Sequence, residues 1–286
     1  MALLQAILDG LMLGGVYAVI SIGLTLVFGV VSIVNFAQAQ FLMVGMYVAY
    51  FAWSKLGLDP LLGSLLAFAV VFCLGYLMQH HLIRRVLKAP EVAQIFLTVG
   101  ILIVIENLAL IAFGSQFRSV QTWYQNEAIE LGGLIISMPY GIAFCCSVIA
   151  GISIWWVLTR TWWGRAVRST AQDPMAAKLM GINPDQVYRL AVGLGVGLTA
   201  FGGAIILPYM TVSPAAGEQF GVLMFTVVVL GGLGNVLGAV VGGLAVGVIQ
   251  SISGLYLPLQ LQNLVLFIVF ILTLALRPEG LLRWKS

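Results

Sequence analysis

Long apolar segments occupy most of this sequence. Eight occur, joined by short polar stretches, at residues 10–31, 39–54, 60–80, 92–113, 135–158, 188–210, 220–253 and 257–276. A helix of about 20 apolar residues crosses the ~30 Å hydrocarbon core of a bilayer, and none of the segments alternates as a barrel strand does. The pattern therefore predicts an all-α fold, a polytopic transmembrane helical bundle.

The composition leaves no room for a second domain. Hydrophobic residues make up 61% of the chain and charged residues 8%, against about 25% charged residues in a soluble domain. We therefore expect residues 1–286 to form a single transmembrane domain. The net charge of +3 is small and lies in the joints and ends of the segments, so no nucleic-acid partner is predicted.

The seventh segment, 220–253, is too long for one crossing. As a single helix its 34 residues would extend about 50 Å at 1.5 Å per residue. We predict that it folds back at the glycine-rich stretch 231–235, which gives about eight or nine spans with broken or re-entrant segments. Within it, Gly234, Gly238 and Gly242 recur every four residues, and this spacing predicts close packing of one helix face.

The distribution of Lys and Arg predicts how the chain is oriented in the membrane. Ten of the thirteen Lys and Arg residues form three clusters: Arg84, Arg85 and Lys88; Arg160, Arg165, Arg168 and Lys178; Arg277, Arg283 and Lys285. The positive-inside rule places all three in the cytoplasm if segment 220–253 is a hairpin. We therefore expect a protein of the inner (plasma) membrane with a cytoplasmic C-terminus. The N-terminus, which has no Lys or Arg before Lys55, is expected outside.

No catalytic site is predicted. The two histidines, His80 and His81, are adjacent, and the three cysteines lie in apolar runs without other metal-binding residues nearby in sequence. The sequence also lacks HExxH, a nucleophile elbow and the P-loop GxxxxGK[S/T]. We expect no enzymatic activity, no metal and no cofactor. If transport is driven by ATP, another subunit supplies the nucleotide site.

Polar residues inside the segments are the candidate solute pathway. Glu106, followed by Asn107, lies well inside a segment, where an ionisable group usually faces a cavity or a partner. A pathway role and a structural hydrogen-bond or ion-pair role are equally open for Glu106. Asn35 and Gln38 belong to a polar stretch, 35–40, between the first two segments. This stretch is either a connecting turn or unwound backbone along the path, and we favour the second.

The joint at 159–187 contains the sharpest local signal. Asp173 is a favourable N-cap, Pro174 suits the first helical position and Gly181 is a favourable stop, so a helix of about two turns is predicted. It carries small residues and a compact apolar face, formed by Met175, Ala176, Ala177, Leu179 and Met180. Spacing alone leaves two interpretations open, a helix lying on the lipid surface and an element that docks a partner.

Several of these motifs together resemble one family. Residues 164–166 and 176–183 resemble the cytoplasmic coupling loop of the permeases of branched-chain amino acid ABC importers. Further similar motifs lie at 14–18, 34–37, 231–235 with Gly238, and 277–282. The resemblance covers essentially the whole chain.

The resemblance implies a function and a set of partners. It implies a permease that translocates branched-chain, hydrophobic amino acids together with a second, related permease, two ATP-binding cassette subunits and an external solute-binding protein, within membrane lipid. It also implies that the helix at 174–180 inserts into the ATPase, with its coupling residues being Asp173, Pro174, Ala176, Ala177, Leu179, Met180 and Gly181.

Two alternatives remain at this stage. Gln38-Ala39-Gln40 departs from the His or small residue with Gly that is common at this place in the family, so urea, a short amide or another small polar solute is an alternative cargo. A different class is an ion-coupled secondary transporter or a channel. The coupling-loop resemblance argues against this class. Ion coupling also usually needs more intramembrane charged residues than Glu106 alone.

Overall fold

A computed structural model describes residues 1–131, 133–277 and 280–281. The chain is a bundle of helices, as predicted: α1 (Ala2–Val31), α2 (Gln38–Leu56), α3 (Pro60–Met78), α4 (Arg84–Val86), α5 (Glu91–Phe113), α6 (Met138–Arg160), α7 (Trp162–Gln172), α8 (Pro174–Leu179), α9 (Pro184–Ile205), α10 (Ala216–Gly231), α11 (Val236–Tyr256) and α12 (Leu259–Leu276). A π-helical turn, Gln79–Ile83, joins α3 to α4.

Six helical stretches in the described ranges are long and apolar enough to cross a membrane. They are Ala2–Val31, Pro60–Val86, Glu91–Phe113, Met138–Arg160, Pro184–Ile205 and Val236–Tyr256. The chain is thus a multi-pass membrane protein. The expected eight or nine spans also counted α2, α10 and α12, which are shorter or more polar.

Helix α1 lies at the centre of the bundle and packs against α6, α9, α10 and α11. Its apolar residues are spread all round the helix, which suits an element that is enclosed on every side. Gly10 and Gly14 let its backbone approach α11, because a Cβ at Gly14 would meet the backbone of Leu244 at 2.7 Å. This close approach fixes α11 beside α1.

The seventh apolar segment folds back as predicted. Helix α10 ends at Gly231 and α11 begins at Val236, and Gly242 of α11 lies against Val227 of α10, so the two helices are antiparallel. The side-chain oxygen of Asn235 accepts a hydrogen bond from the Gly238 N–H at 3.1 Å and caps α11. Gly234 has a φ of +81°, which favours glycine.

The glycine stripe differs from the predicted helix face at one end. Gly234 lies in the turn before α11 and faces Gly29 of α1, so the helical face begins at Gly238. The physical reason is that the left-handed backbone at Gly234 cannot continue a helix. Gly238 and Gly242 both lie against the backbone of Gly231.

A β-hairpin interrupts the fifth apolar segment. Strands β1 (Ala128–Leu131) and β2 (Leu134–Ser137) pair antiparallel, and α6 begins only after β2, at Met138. The sequence had placed residues 135–137 in the span. The C-terminal residues 278–279 and 282–286 lie outside the described residues, so the predicted basic cluster that includes Arg283 and Lys285 is not located.

Candidate functional site

Helix α2 begins in the interior of the bundle. The side-chain amide of Gln38, at its first residue, donates hydrogen bonds to the Gly195 carbonyl at 3.1 Å and to the Thr199 hydroxyl at 2.7 Å. Gly195 lies midway along α9, a helix long enough to span, and Thr199 lies one turn further on. The non-helical residues 32–37 therefore carry the chain from the end of α1 back to about the middle of the bundle.

Helix α10 begins at the same level. Gly217, in its first turn, lies against the side chain of Gln40 and the carbonyl of Ala39. From there α10 runs toward the end of α1, where Gly29 faces Gly234. Helix α2 runs the opposite way. The N-termini of two helices thus meet near mid-depth, and each carries the partial positive charge of its helix dipole.

Acidic groups face this pair of helix N-termini. The Gln40 side-chain amide donates a hydrogen bond to the Glu106 carboxylate at 3.3 Å, and Glu218, in the first turn of α10, is close enough to interact electrostatically with Glu106. Gln40 is fully buried, and its side-chain oxygen has no hydrogen-bond partner among the described residues. The arrangement offers negative carboxylates beside positive helix ends, together with one unpaired buried acceptor.

Among the predicted pathway residues, Glu106 lies at this site and Asn107 does not. The Asn107 side chain is exposed and donates to the carbonyl of Ile103 on its own helix at 2.8 Å. It therefore points away from Gln40. Successive residues of a helix face different directions, and here only Glu106 contacts Gln40.

Asn35 and Gln38 are buried and bonded to their neighbours. The Asn35 side-chain amide donates to the Gln38 side-chain oxygen at 3.1 Å, and the Asn35 oxygen accepts from the Ala37 N–H at 3.2 Å. With the contacts of Gln38 to α9, these bonds fasten the unwound stretch in place. They position the first turn of α2, which carries Gln40.

Three residues of this site were not predicted from the sequence: Gln40, Thr199 and Glu218. Gln40 belongs to the polar stretch 35–40 but was not named as a pathway residue. Glu218 lies just before the apolar segment 220–253 and was not considered. The signal that would have found it is the shortness of α10, whose 16 residues place its acidic first turn inside the bundle.

The helix in the joint at 159–187 is α8. The Asp173 carboxylate accepts from the N–H groups of Met175 at 2.8 Å and Ala176 at 3.0 Å, and Gly181 has a φ of +83°. The backbone N–H of Ile182 donates to the Ala177 carbonyl at 3.0 Å, which holds the short turn between α8 and α9. A second helix, α7, precedes α8 and was not predicted.

The predicted coupling residues of α8 differ in how far their side chains are exposed. Three apolar side chains project outward: Met175 is 71% exposed, and Leu179 and Met180 are each 83% exposed. Ala177 is only 3% exposed, so it packs inward and offers no surface to a partner. The prediction that Ala177 contacts a partner is therefore replaced by one centred on Leu179 and Met180.

Comparison with known proteins gives consistent matches. A family model described as "Branched-chain amino acid transport system / permease component" matches residues 6–274. The high-affinity branched-chain amino acid transport system permease protein BraD of Pseudomonas aeruginosa is 30% identical over 98% of this chain and 95% of its own length. LivH of Escherichia coli K12, with the same description, is 28% identical over the same shares. No solved structure matches the chain.

Proposed function

Because the chain belongs to the family of branched-chain amino acid transport system permease components, we propose that it is the permease subunit of an ABC importer for branched-chain amino acids. The observation that supports this role best is the polar site halfway across the bundle, where the N-termini of α2 and α10 meet Glu106. Discontinuous helices with ends at mid-depth are a common way to build a transport site.

The chemistry of the site suits a zwitterion. A carboxylate such as Glu106 attracts an ammonium group, and helix N-termini favour a carboxylate. An amino acid carries both groups within a short distance of each other. Neutral solutes such as urea or a short amide would use Gln40 but would gain nothing from the opposite charges. We therefore favour an amino acid cargo over the other small polar solutes.

The site lies open at one side of this chain, which supports a second permease as partner. Glu218 is exposed and Glu106 is partly exposed, although both stand at the depth of the bundle centre. A carboxylate left facing lipid at that depth would be costly, so another protein surface has to cover it. We propose that a related permease closes this side and that the solute passes between the two subunits.

Energy would reach the chain through α8. The sequence has no P-loop, so the proposed importer needs separate ATPase subunits, and the exposed apolar side chains of Met175, Leu179 and Met180 form a surface that a cleft on such a subunit can bind. A partner shifts a conformational equilibrium only by binding its two states with different affinity. An external solute-binding protein would deliver the amino acid to the opposite side.

The test is uptake by the reconstituted complex. The chain is co-expressed with its proposed partners, a second permease, an ATPase and a solute-binding protein. Uptake of radiolabelled leucine, isoleucine and valine into proteoliposomes is then compared with uptake of urea and acetamide. We expect ATP-dependent uptake of the amino acids alone. Uptake of urea or acetamide in preference to leucine would overturn the proposed cargo, and uptake without ATP would overturn the proposed class.

A further inference from the structure

Helix α5 stands apart from most of the bundle. In the described part of the chain its contacts lie along one edge, where the Thr98 hydroxyl meets the Val34 carbonyl before α2, and Glu106 and Phe113 meet Gln40 and Tyr47 of α2. Only Thr98 and Ala109 of its residues are buried. A helix of a folded bundle normally buries a continuous stripe, so α5 leaves much of its inner face without protein contacts.

The space beside α5 is a long apolar groove of about 1140 Å³. Helix α2 forms its floor, and α3 and α5 form its walls. The α5 wall carries Phe96, Gly100, Val104 and Leu108, which recur every four residues and so share one face. From Phe96 to Phe113 the groove extends about 26 Å at 1.5 Å per residue, which is close to the ~30 Å hydrocarbon thickness.

Such a groove is filled when the protein is in a membrane, because a void of this size would forfeit the dispersion contacts of its lining. Acyl chains are flexible and apolar, so they can follow the irregular wall that the α2, α3 and α5 side chains form. The apolar lining, together with the charges at one end of the groove, therefore favours lipid as the occupant.

Two cations stand at one end of the groove. The Lys55 ammonium lies 5.6 Å from the centre of the Phe51 ring, and the Arg118 guanidinium lies 5.7 Å from the same centre. Phe51 and Lys55 both line the groove. Among the described residues neither cation forms an ion pair, and the Arg118 side chain is held by a hydrogen bond to the Phe113 carbonyl at 2.8 Å.

We propose that this groove is a binding site for an anionic phospholipid, with its acyl chains between α2, α3 and α5 and its phosphate at Lys55 and Arg118. The loop between α2 and α3, which begins just after Lys55, lies at a membrane surface, where a headgroup belongs. Basic residues near a membrane surface attract anionic lipid headgroups. The lipid then supplies the packing surface that α5 lacks within the chain.

Native mass spectrometry of the purified complex tests this proposal. The complex is exchanged into detergent with either phosphatidylglycerol or phosphatidylcholine, and bound lipid is counted. We expect phosphatidylglycerol to remain bound and the double variant Lys55→Gln/Arg118→Gln to lower its occupancy by roughly tenfold. Lys55→Gln alone should give part of this loss, which keeps the test valid if the double variant does not fold.

A matched pair of α5 variants tests the groove itself. Leu108 lines the groove, whereas Ile111 is 83% exposed and does not. Leu108→Trp should displace phosphatidylglycerol, and Ile111→Trp should leave it bound. Equal retention of phosphatidylcholine, or unchanged occupancy in the Lys55 and Leu108 variants, would overturn the lipid assignment. A disulfide between the Leu108→Cys variant and a cysteine introduced in a helix of the partner permease would overturn it as well. None of these outcomes depends on the cargo of the importer.

Discussion

The side-chain amide of Gln40 donates a hydrogen bond to the carboxylate of Glu106 at 3.3 Å, across the gap between α2 and α5. This contact joins an interrupted helix to a helix that otherwise has few protein neighbours. It places a side-chain hydrogen bond between α2 and α5 beside the N-terminus of α10. The contact therefore marks the position at which a change of charge should affect transport.

Glu106→Gln should reduce amino acid uptake by roughly tenfold or more, because the loss of a charged hydrogen-bond partner costs about 1.5–3 kcal/mol. The complex should still assemble, since a glutamine can accept the bond from Gln40. Uptake into proteoliposomes and gel filtration of the complex measure the two effects. Asn107→Ala, on the outward face of the same helix, is the control and should transport normally. Normal uptake by the Glu106 variant would refute a pathway role.

Leu179→Glu should release the ATPase subunit, because it places a charge at the centre of the exposed apolar surface of α8. Co-purification of the ATPase and solute-stimulated ATP hydrolysis measure the effect. Val92→Glu, at a 62% exposed apolar position at the start of α5, is the matched control. Ala177→Arg should instead lower the yield of folded permease, since overpacking costs about 1–3 kcal/mol or more. An intact complex with Leu179→Glu would move the docking site elsewhere.

Gly238→Ala should lower the unfolding temperature of the permease in detergent. The added Cβ would meet the Gly231 carbonyl, and overpacking of about 1–3 kcal/mol corresponds to a shift of roughly 2–12 °C. Gly151→Ala in α6 is the control, because the nearest atom to its Cβ is in the Ile22 side chain at 3.8 Å. That variant should be neutral or stabilising, since alanine favours helix. Equal unfolding temperatures for both variants would argue against tight packing at Gly238.

We expect the folded protein to lose stability at alkaline pH, because the Tyr124 phenol is buried. The phenol is buried in the loop after α5 and donates to the Asp59 carboxylate at 3.2 Å, so burial, and then the negative charge of Asp59, raise the pKa of Tyr124 well above its usual value. The unfolded chain ionises this group near pH ~10. Stability from Tyr124 is therefore complete below about pH 10 and declines as pH rises toward the folded-state pKa.

The variant Tyr124→Phe tests this linkage. It should lower stability by about 1 kcal/mol at neutral pH, because Asp59 loses a hydrogen bond. Its decline above about pH 10 should be shallower than that of the unmodified chain. Thermal unfolding followed from neutral to alkaline pH measures both effects. Parallel curves for the two proteins would show that Tyr124 does not contribute to the alkaline transition.

The predicted orientation can be measured by cysteine labelling. In a chain whose three native cysteines are replaced by serine, Gln125→Cys should react with an impermeant maleimide in intact cells, and Ser169→Cys should react only after lysis. The expectation rests on the basic clusters, which face the cytoplasm under the positive-inside rule. Labelling of Ser169→Cys in intact cells would invert the topology. Labelling of Ser286→Cys there would contradict the cytoplasmic C-terminus.

The lengths of the apolar segments predicted most helix positions in this chain well. The expected segment 92–113 corresponds to α5 at Glu91–Phe113, and the overlong segment 220–253 breaks at the glycines as expected. Cap residues likewise located α8 between Asp173 and Gly181. These features can be predicted from local sequence. Membrane thickness determines the helix lengths, and the conformational preferences of a few cap and glycine residues determine where helices begin and end.

The depth of a residue in the bundle and the direction in which its side chain packs could not be predicted from local sequence. The sequence marked 35–40 as polar, but only contacts with α9 place Gln38 at mid-depth, and no local pattern joins it to Thr199. The inward packing of Ala177 also escaped prediction, since α8 is too short for its pattern to show which face is covered. Tertiary packing determines both.

A short turn joins α8 to α9, so the two helices form a short arm and a long arm that are connected at one point. The Ile182 N–H donates to the Ala177 carbonyl, and the Asn183 side chain accepts from the Asp185 N–H, so the turn between the two arms is held by hydrogen bonds on both sides. The long arm reaches about 20 Å from Pro184 to Thr199, where it holds the first residue of α2. If a partner binds at Leu179 as proposed, we expect a displacement of α8 to move α9 and, through the bonds of Gln38 to Gly195 and Thr199, the first turn of α2.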